Sequence, residues 1–141
     1  RGNVHNGRAV YERTCFACHK LYGQGGEIGP DITGSNRANL DYILENILNP
    51  SGEIPEGYQL LLVTTRGGQT LAGTLASEND QQLVLRVVGL PPVTVAKSEI
   101  QSRESIPTSM MPEGLLASLR DRDVIDLIRY LRTTKQVAKP E

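Results

Sequence analysis

The 141-residue sequence is poor in aromatic side chains and in the sulfur and imidazole side chains that ligate transition metals. It contains no Trp, one Phe, two Cys, two Met and two His. Because aromatics make up only 4% of the chain, few bulky apolar side chains are available to fill a core. We therefore expect another group to occupy part of the interior. The length fits one globular domain and excludes two separate large ones.

The sequence also lacks an excess of charge of either sign and a long apolar run. Its 15 Lys and Arg residues face 16 Asp and Glu residues, which gives a net charge of -1. Such a surface has no field that would collect phosphate backbones or anionic lipids, so we expect no nucleic-acid partner. No run of about 18 apolar residues is present, and we expect no membrane span in this segment.

Apolar periodicity predicts helices on both sides of a block of strands. Apolar residues recur at helical spacing in four segments, residues 3–14, 39–49, 113–119 and 121–132. Between the second and third segments, apolar and polar residues alternate from 58 to about 103, and turn residues separate the runs. This pattern predicts an antiparallel meander of four or five strands. The glycine-rich segment 20–34 predicts a loop.

The order of these elements predicts one domain, residues 1–141, in which a sheet is inserted into a helical framework. We place the insertion at about residues 58–105 and a polar C-terminal tail at residues 134–141. The insertion carries no ionisable cluster and no phosphate-binding loop. We therefore expect it to be a scaffold, and its sequence assigns it no further role. Because the chain begins at Arg1 rather than at Met, we expect a piece of a longer exported protein.

Residues 15–19 have the sequence Cys-Phe-Ala-Cys-His. Two thiols three positions apart, followed directly by a His, form the attachment pattern of c-type haem. Each Cys adds to one vinyl group of the porphyrin, and the His ligates the iron. A tight turn lets Cys15 and Cys18 reach adjacent vinyl groups while His19 lies under the ring. We therefore predict one haem c per chain, bound covalently through Cys15 and Cys18.

Other uses of two neighbouring cysteines fit the sequence less well. A thioredoxin-like redox pair is expected at a strand-to-helix junction of a βαβ unit, and that context is absent. A zinc site needs four ligands, and His5 is the only further Cys or His. A disulfide across two residues would close a very small loop with little entropic benefit.

Several segments beyond this motif resemble a class I cytochrome c. They are Gly7 and Tyr11 in the first helix, Gly-Pro-Asp-Ile-Thr-Gly at residues 29–34, a Met-Pro pair at 111–112, and Leu-Ile-Arg-Tyr-Leu at 127–131. Residues 34–37, the strand block and residues 109–116 more narrowly resemble haem-binding domains attached to large multidomain bacterial dehydrogenase-like proteins. The resemblance implies a mainly α cytochrome c fold, with four or so helices around haem and a small inserted antiparallel β-sheet, α+β overall.

The resemblance also implies which residue supplies the sixth iron ligand. In the family it is the Met directly before Pro, which selects Met111; Met110 is the alternative, since these are the only thioethers. The Pro stiffens the loop that holds the sulfur. His5 is less favoured as a ligand because its helix must pack against the C-terminal helix rather than cover the haem.

Other residues have roles that the resemblance implies around the haem. The carbonyl of Pro30 would accept a hydrogen bond from Nδ1 of His19, fixing the ring and raising its basicity. Arg37 and Tyr58 would hydrogen-bond the haem propionates. Gly7 would allow the first helix to approach the last one closely.

Iron held by both His and Met is six-coordinate, so its remaining chemistry is one-electron exchange. We therefore predict an electron-transfer domain rather than an enzyme, which accepts electrons from a redox protein or from a dehydrogenase domain of the same polypeptide. Covalent haem attachment implies a periplasmic or otherwise extracytoplasmic bacterial location. Two alternatives stay open: a five-coordinate haem that acts as a gas sensor or peroxidase, and a non-haem interaction module.

Overall fold

The computed structural model describes residues 2–141 and contains three α-helices and seven strands in that range. The helices are α1 (Val4–Thr14), α2 (Leu40–Leu48) and α3 (Asp121–Leu131). The short strands β1 (Lys20–Leu21) and β2 (Gln24–Gly25) pair with each other. The main sheet contains β3 (Gln59–Thr65), β4 (Thr70–Glu78), β5 (Gln82–Arg86), β6 (Val93–Ala96) and β7 (Ile100–Ser109). Within residues 2–141, no helix is long and apolar enough to cross a membrane.

The first and last helices pack against each other. The side chain of Asn3 caps α1 by accepting hydrogen bonds from two backbone amides of the first turn. A Cβ on Gly7 would meet the carbonyl of Asp126 and lie 2.6 Å from Cβ of Tyr130, so only glycine allows this approach. The rings of Tyr11 and Tyr130 lie 5.4 Å apart between centroids. The predicted contact between the terminal helices is confirmed.

The main sheet is antiparallel, with the strand order β6-β5-β4-β3-β7. Four strands follow one another as hairpins, and the fifth, β7, returns to pair with β3. Pro107 lies in β7, an edge strand, where a missing backbone donor does not interrupt the sheet. Gln59 at the start of β3 pairs with Ser109 at the end of β7. The chain therefore leaves the sheet beside the point where it entered.

Two separate clusters of buried apolar side chains form the core. The helical cluster comprises Val10, Tyr11, Leu21, Ile43, Ile47, Leu127, Tyr130 and Leu131. The sheet cluster comprises Leu61, Val63, Leu83, Leu85 and Val95. A buried hydrogen bond of 2.9 Å ties the sheet to the loop after β2, from the hydroxyl of Thr74 on β4 to the carbonyl of Ile28.

The expected mainly α cytochrome c fold is wrong. Across residues 2–141 the strands contain more residues than the three α-helices, so the fold is mainly β. One cause is the segment 113–119, whose apolar spacing predicted a fourth helix. It forms only a 3₁₀ turn at Leu116–Ser118, because Pro112 and the positive φ of 79° at Gly114 interrupt a regular helix. A second cause is the ten-residue strand β7, which extends past the predicted end of the sheet.

The glycine-rich segment and the polar tail are also more ordered than the sequence predicts. The predicted loop 20–34 contains the short β1–β2 pair. In the tail, the carbonyl of Val137 accepts a hydrogen bond of 2.6 Å from Nη1 of Arg8. The carbonyl of Ala138 lies 2.8 Å from Nδ1 of His5. These contacts hold the tail along α1.

Candidate functional site

The Cys-Phe-Ala-Cys-His segment forms a tight turn directly after α1. The amide of Cys15 donates to the carbonyl of Tyr11 at 2.8 Å, which ends the helix. The amides of Cys18 and His19 both donate to the carbonyl of Cys15, at 3.1 and 2.9 Å. The turn directs both half-buried thiols and the imidazole of His19 toward one cavity.

A second loop, residues 25–30, lies against this turn. The amide of Gly26 donates to the carbonyl of Phe16 at 2.9 Å, and the amide of Gly29 donates to the carbonyl of Cys18 at 2.8 Å. The carbonyl of Pro30 lies 2.8 Å from Nδ1 of His19, the contact that the resemblance implies. Such a partner fixes the orientation of a ligating imidazole and raises its basicity.

The glycines of this loop leave space that other residues would fill. A Cβ on Gly29 would lie 2.7 Å from Cε1 and 3.0 Å from Nδ1 of His19. A Cβ on Gly26 would meet the carbonyl of Ala17. The loop can therefore approach the attachment turn and the imidazole closely only because these residues have no side chain.

The turn and the loop border a cavity of about 470 Å³. Roughly 300–1,000 Å³ is typical of cofactor and ligand sites. The predicted attachment and ligand residues share its wall with apolar side chains of α2 and with residues of the sheet. The lining includes Cys15, Cys18, His19, Pro30, Arg37, Ile43, Ile47, Tyr58, Met110 and Met111.

Both methionines line the cavity, and their contacts differ. Met111 packs against the helical cluster, whereas Met110 is not among the side chains packed there. The amide of Met111 donates to the hydroxyl of Ser109 at 3.0 Å, and the amide of Ser109 donates to the hydroxyl of Ser51 at 3.0 Å. The segment before Pro112 is thus tied to the turn that follows α2.

Arg37 lines the cavity but donates most of its hydrogen bonds to backbone carbonyls. Nη1 donates to the carbonyls of Leu131 and Thr133, both at 2.7 Å. Nε donates to the carbonyl of Ile32 at 3.1 Å, and Nη2 to that of Thr33 at 3.0 Å. Arg37 therefore joins the loop before α2 to the C-terminal end of α3, which leaves few of its donors for a ligand.

Tyr58 and His5 lie in different surroundings. Tyr58 lines the cavity, and the guanidinium of Arg86 lies 4.6 Å from the centroid of its ring. His5 is exposed on α1 and contacts the C-terminal tail instead of the cavity. The structure therefore places Pro30 and every residue predicted to attach the haem, ligate its iron or bind its propionates in the wall of one cavity, and leaves out His5, the less favoured ligand.

Burial raises the pKa of both Cys15 and Cys18. For Cys15 a hydrogen bond with the neighbouring Thr14 opposes this effect, and the thiol of Cys18 adds to it. A redox-active or nucleophilic cysteine needs a lowered pKa. The environment of these thiols therefore does not match that of a catalytic redox pair.

Sequence reasoning missed several cavity residues that come from outside the motif, among them Ile28 and Thr74. Thr74 was not found because the alternating pattern places Leu71, Gly73 and Leu75 on the packed face of β4. In the structure Thr74, on the other face, is only 1% exposed. A buried threonine on the opposite face is visible only once the loop that covers it is known.

The first part of the chain matches a known protein family. Residues 2–60 match the family described as Cytochrome C oxidase, cbb3-type, subunit III. The match ends at the second residue of β3. It supports a c-type cytochrome, and with it haem-based electron transfer, without distinguishing class I cytochromes or dehydrogenase-attached domains. No curated protein matches the chain.

The residues present fit a covalently bound haem. Two thiols, an imidazole held at its Nδ1 and two thioethers line one cavity. Imidazole and thioether are the axial ligands of many c-type haems. The glycine at position 29 leaves room for the imidazole against the loop.

Proposed function

We propose that this chain is an electron-transfer domain that binds one haem c through Cys15 and Cys18, with His19 and Met111 as axial ligands. The observation that carries the proposal is the placement of both thiols, the imidazole and the thioethers in the wall of one cavity. Bound in this way, the haem supplies one-electron exchange between ferrous and ferric iron.

His19 presents its ring to the cavity in a fixed orientation. Because the carbonyl of Pro30 can only accept a hydrogen bond, Nδ1 of His19 must carry the proton of their 2.8 Å contact. Nε2 is then the unprotonated nitrogen that can ligate a metal. The chain thus selects the tautomer that ligation requires.

Met111 is the preferred second ligand because contacts with residues distant in sequence hold its segment in place. The hydroxyls of Ser109 and Ser51 link it to the turn after α2, and its side chain packs on the helical cluster. A thioether held in this manner would ligate the iron without a large ordering cost on binding. With both ligands in place, the iron would have no open position for a substrate or for O₂.

The edges of the cavity suggest how the propionates are accommodated. Tyr58 supplies a hydroxyl in the cavity wall, while Arg37 contributes a positive charge. Because Arg37 is occupied by four carbonyls, we assign Tyr58 the direct hydrogen bond to a propionate. Arg37 adds electrostatic stabilisation from its fixed position.

We infer the direction of electron flow from the proposed ligand set. A thioether favours ferrous iron and raises the reduction potential, which suits an acceptor of electrons from a dehydrogenase. The proposed partner is therefore a dehydrogenase domain of the same polypeptide or a separate redox protein. Because c-type haem is attached outside the cytoplasm in bacteria, the proposed location is periplasmic or otherwise extracytoplasmic.

A visible absorption spectrum of protein produced in a haem-maturing host tests the proposal. We expect low-spin bands in both oxidation states and a sulfur-to-iron charge-transfer band in the ferric protein. High-spin bands would instead indicate a five-coordinate sensor or peroxidase. A colourless protein would contradict haem binding and leave the interaction module.

A further inference from the structure

We infer that Thr74, on the central strand β4, is a positioning residue for His19 and thereby sets the reduction potential of the haem. The inference rests on the proposed function, since it concerns the residues that would hold the iron. It gives the sheet a role in the redox chemistry that the family match, which ends at residue 60, does not include.

The peptide unit between Ile28 and Gly29 is held from both of its sides. Its carbonyl accepts a 2.9 Å hydrogen bond from Oγ1 of Thr74. Its N–H donates a 2.8 Å hydrogen bond to the carbonyl of Cys18 in the attachment turn. One rigid, planar unit thus connects the sheet to the turn that carries both cysteines.

The hydroxyl of Thr74 donates to Ile28, because a carbonyl can only accept. The second partner of Thr74 leaves this proton available, because Nη1 of Arg86 lies 3.2 Å from Oγ1 and can only donate. The hydroxyl proton of Thr74 is therefore free to point to Ile28. Thr74 is 1% exposed and Ile28 is 5% exposed, so water does not compete for this contact.

The held peptide ends at Gly29, the residue before Pro30, and the carbonyl of Pro30 is 2.8 Å from Nδ1 of His19. A shift of the Ile28–Gly29 unit moves Pro30 with it and lengthens that contact. A weaker hydrogen bond at Nδ1 makes the imidazole a poorer electron donor, which stabilises ferric iron less. Losing the Thr74 hydroxyl should therefore raise the reduction potential.

The test compares haem-loaded, full-length variants in a redox titration. We expect Thr74→Val and Thr74→Ala, which both lack the hydroxyl, to shift the potential upward. Thr74→Ser keeps the hydroxyl and should stay near the wild-type value. Thr70→Val, an exposed position on the same strand, is the matched control and should also leave the potential unchanged.

Amide hydrogen exchange at Gly29, followed by NMR in the ferrous protein, provides a second readout. We expect faster exchange in Thr74→Val and Thr74→Ala than in Thr74→Ser. The inference is overturned if the hydroxyl-free variants keep both the potential and the exchange rate, or if Thr74→Ser changes them equally. A wild-type chain that carries no haem would contradict the proposed function instead, so the two failures are distinguishable.

Discussion

The imidazole of His19 is fixed by two neighbours, the Pro30 carbonyl and the bare backbone of Gly29. Because a Cβ on Gly29 would lie 2.7 Å from Cε1 of His19, we expect Gly29→Ala to displace the ring. The variant should bind less haem and show weaker low-spin bands. The haem-to-protein ratio and the visible spectrum of the purified protein measure both effects.

Gly67→Ala is the control for adding a methyl group at a glycine away from the cavity. Gly67 lies in the turn between β3 and β4, and a Cβ at this position would meet only Oγ1 of Thr65, at 3.8 Å. Its haem content should equal that of the wild type. Equal haem loss in both variants would show that the contact with His19 is not the cause.

The two methionines allow an equally direct comparison. Met111→Ala should convert the iron to high spin or admit an external ligand, and should lower the reduction potential, because the thioether that favours ferrous iron is lost. Met110→Ala should keep the wild-type spectrum. Loss of the sulfur-to-iron charge-transfer band in Met110→Ala alone would place the ligand one residue earlier than the Met-Pro pattern predicts.

For single residues, the sequence predicts the site residues of local motifs better than those that lie far away along the chain. Cys15, Cys18 and His19 follow from spacing within five positions, and the contact at Pro30 follows from family resemblance. Thr74 lies 46 residues from its partner Ile28. Its contact depends on how the sheet docks on the loop, and no periodicity in either segment encodes that arrangement.

At the level of secondary-structure elements, the carboxylate of Glu78 ties β4 to β7 and to the turn that precedes β7. Oε2 of Glu78 lies 2.8 Å from Nη1 of Arg103 and 2.9 Å from Nζ of Lys97. Hydrogen bonds from Arg103 and Lys97 lower the pKa of Glu78 from 4.5 to about 2. The folded carboxylate therefore binds a proton less readily than the unfolded one.

This shift predicts how the stability of the sheet changes with pH. Because the folded pKa is the lower one, the stabilisation is present above pH 4.5 and is lost as the pH falls toward about 2. Glu78→Gln should lower the free energy of unfolding near neutral pH and flatten its decline in acid. Urea unfolding of both proteins at several pH values measures this.

Glu104→Gln, at an exposed position on β7, is the control for removing one negative charge. We expect it to keep the acid-dependent loss of stability seen in the wild type. If Glu78→Gln also declines with the wild-type slope below pH 4.5, the ion pairs with Arg103 and Lys97 do not contribute to folding.

The three α-helices were predictable because each has an apolar stripe and a clear boundary. The structure places them at Val4–Thr14, Leu40–Leu48 and Asp121–Leu131, within one residue of the predicted bounds. The segment 113–119 misleads because its leucines have helical spacing, while Gly114 adopts a positive φ. The end of β7 was missed because residues 104–109 are mostly polar and include Pro107.

In the whole molecule, we propose that the main sheet is an insertion within one cytochrome domain. Its first and last residues, Gln59 and Ser109, pair directly, so a short linker can replace the strands between them. Replacing residues 60–108 with a Gly/Ser linker should keep a haem-loaded, low-spin protein of lower stability, because closing a shorter loop changes the entropy only slowly. Its reduction potential should rise, since Thr74 is removed.

Absorption spectra and urea unfolding of the deletion protein check this prediction. The control is a chain in which only the β4–β5 turn is replaced by the same linker, which should behave like the wild type. A deletion protein that cannot hold haem, or that loses Met ligation, would show that the rest of the chain cannot form the haem site without the sheet. The main sheet would then not be an insertion in a self-sufficient domain.

The central claim is the covalent bond between haem and both cysteines. Extraction with acid and acetone, followed by mass spectrometry of the intact chain from a haem-maturing host, tests it most directly. We predict that the haem stays with the polypeptide and adds the mass of one haem, and that Cys15→Ala and Cys18→Ala each lose one of the two thioether bonds. Haem that leaves the wild-type chain on extraction, or a chain mass without haem, would contradict the account.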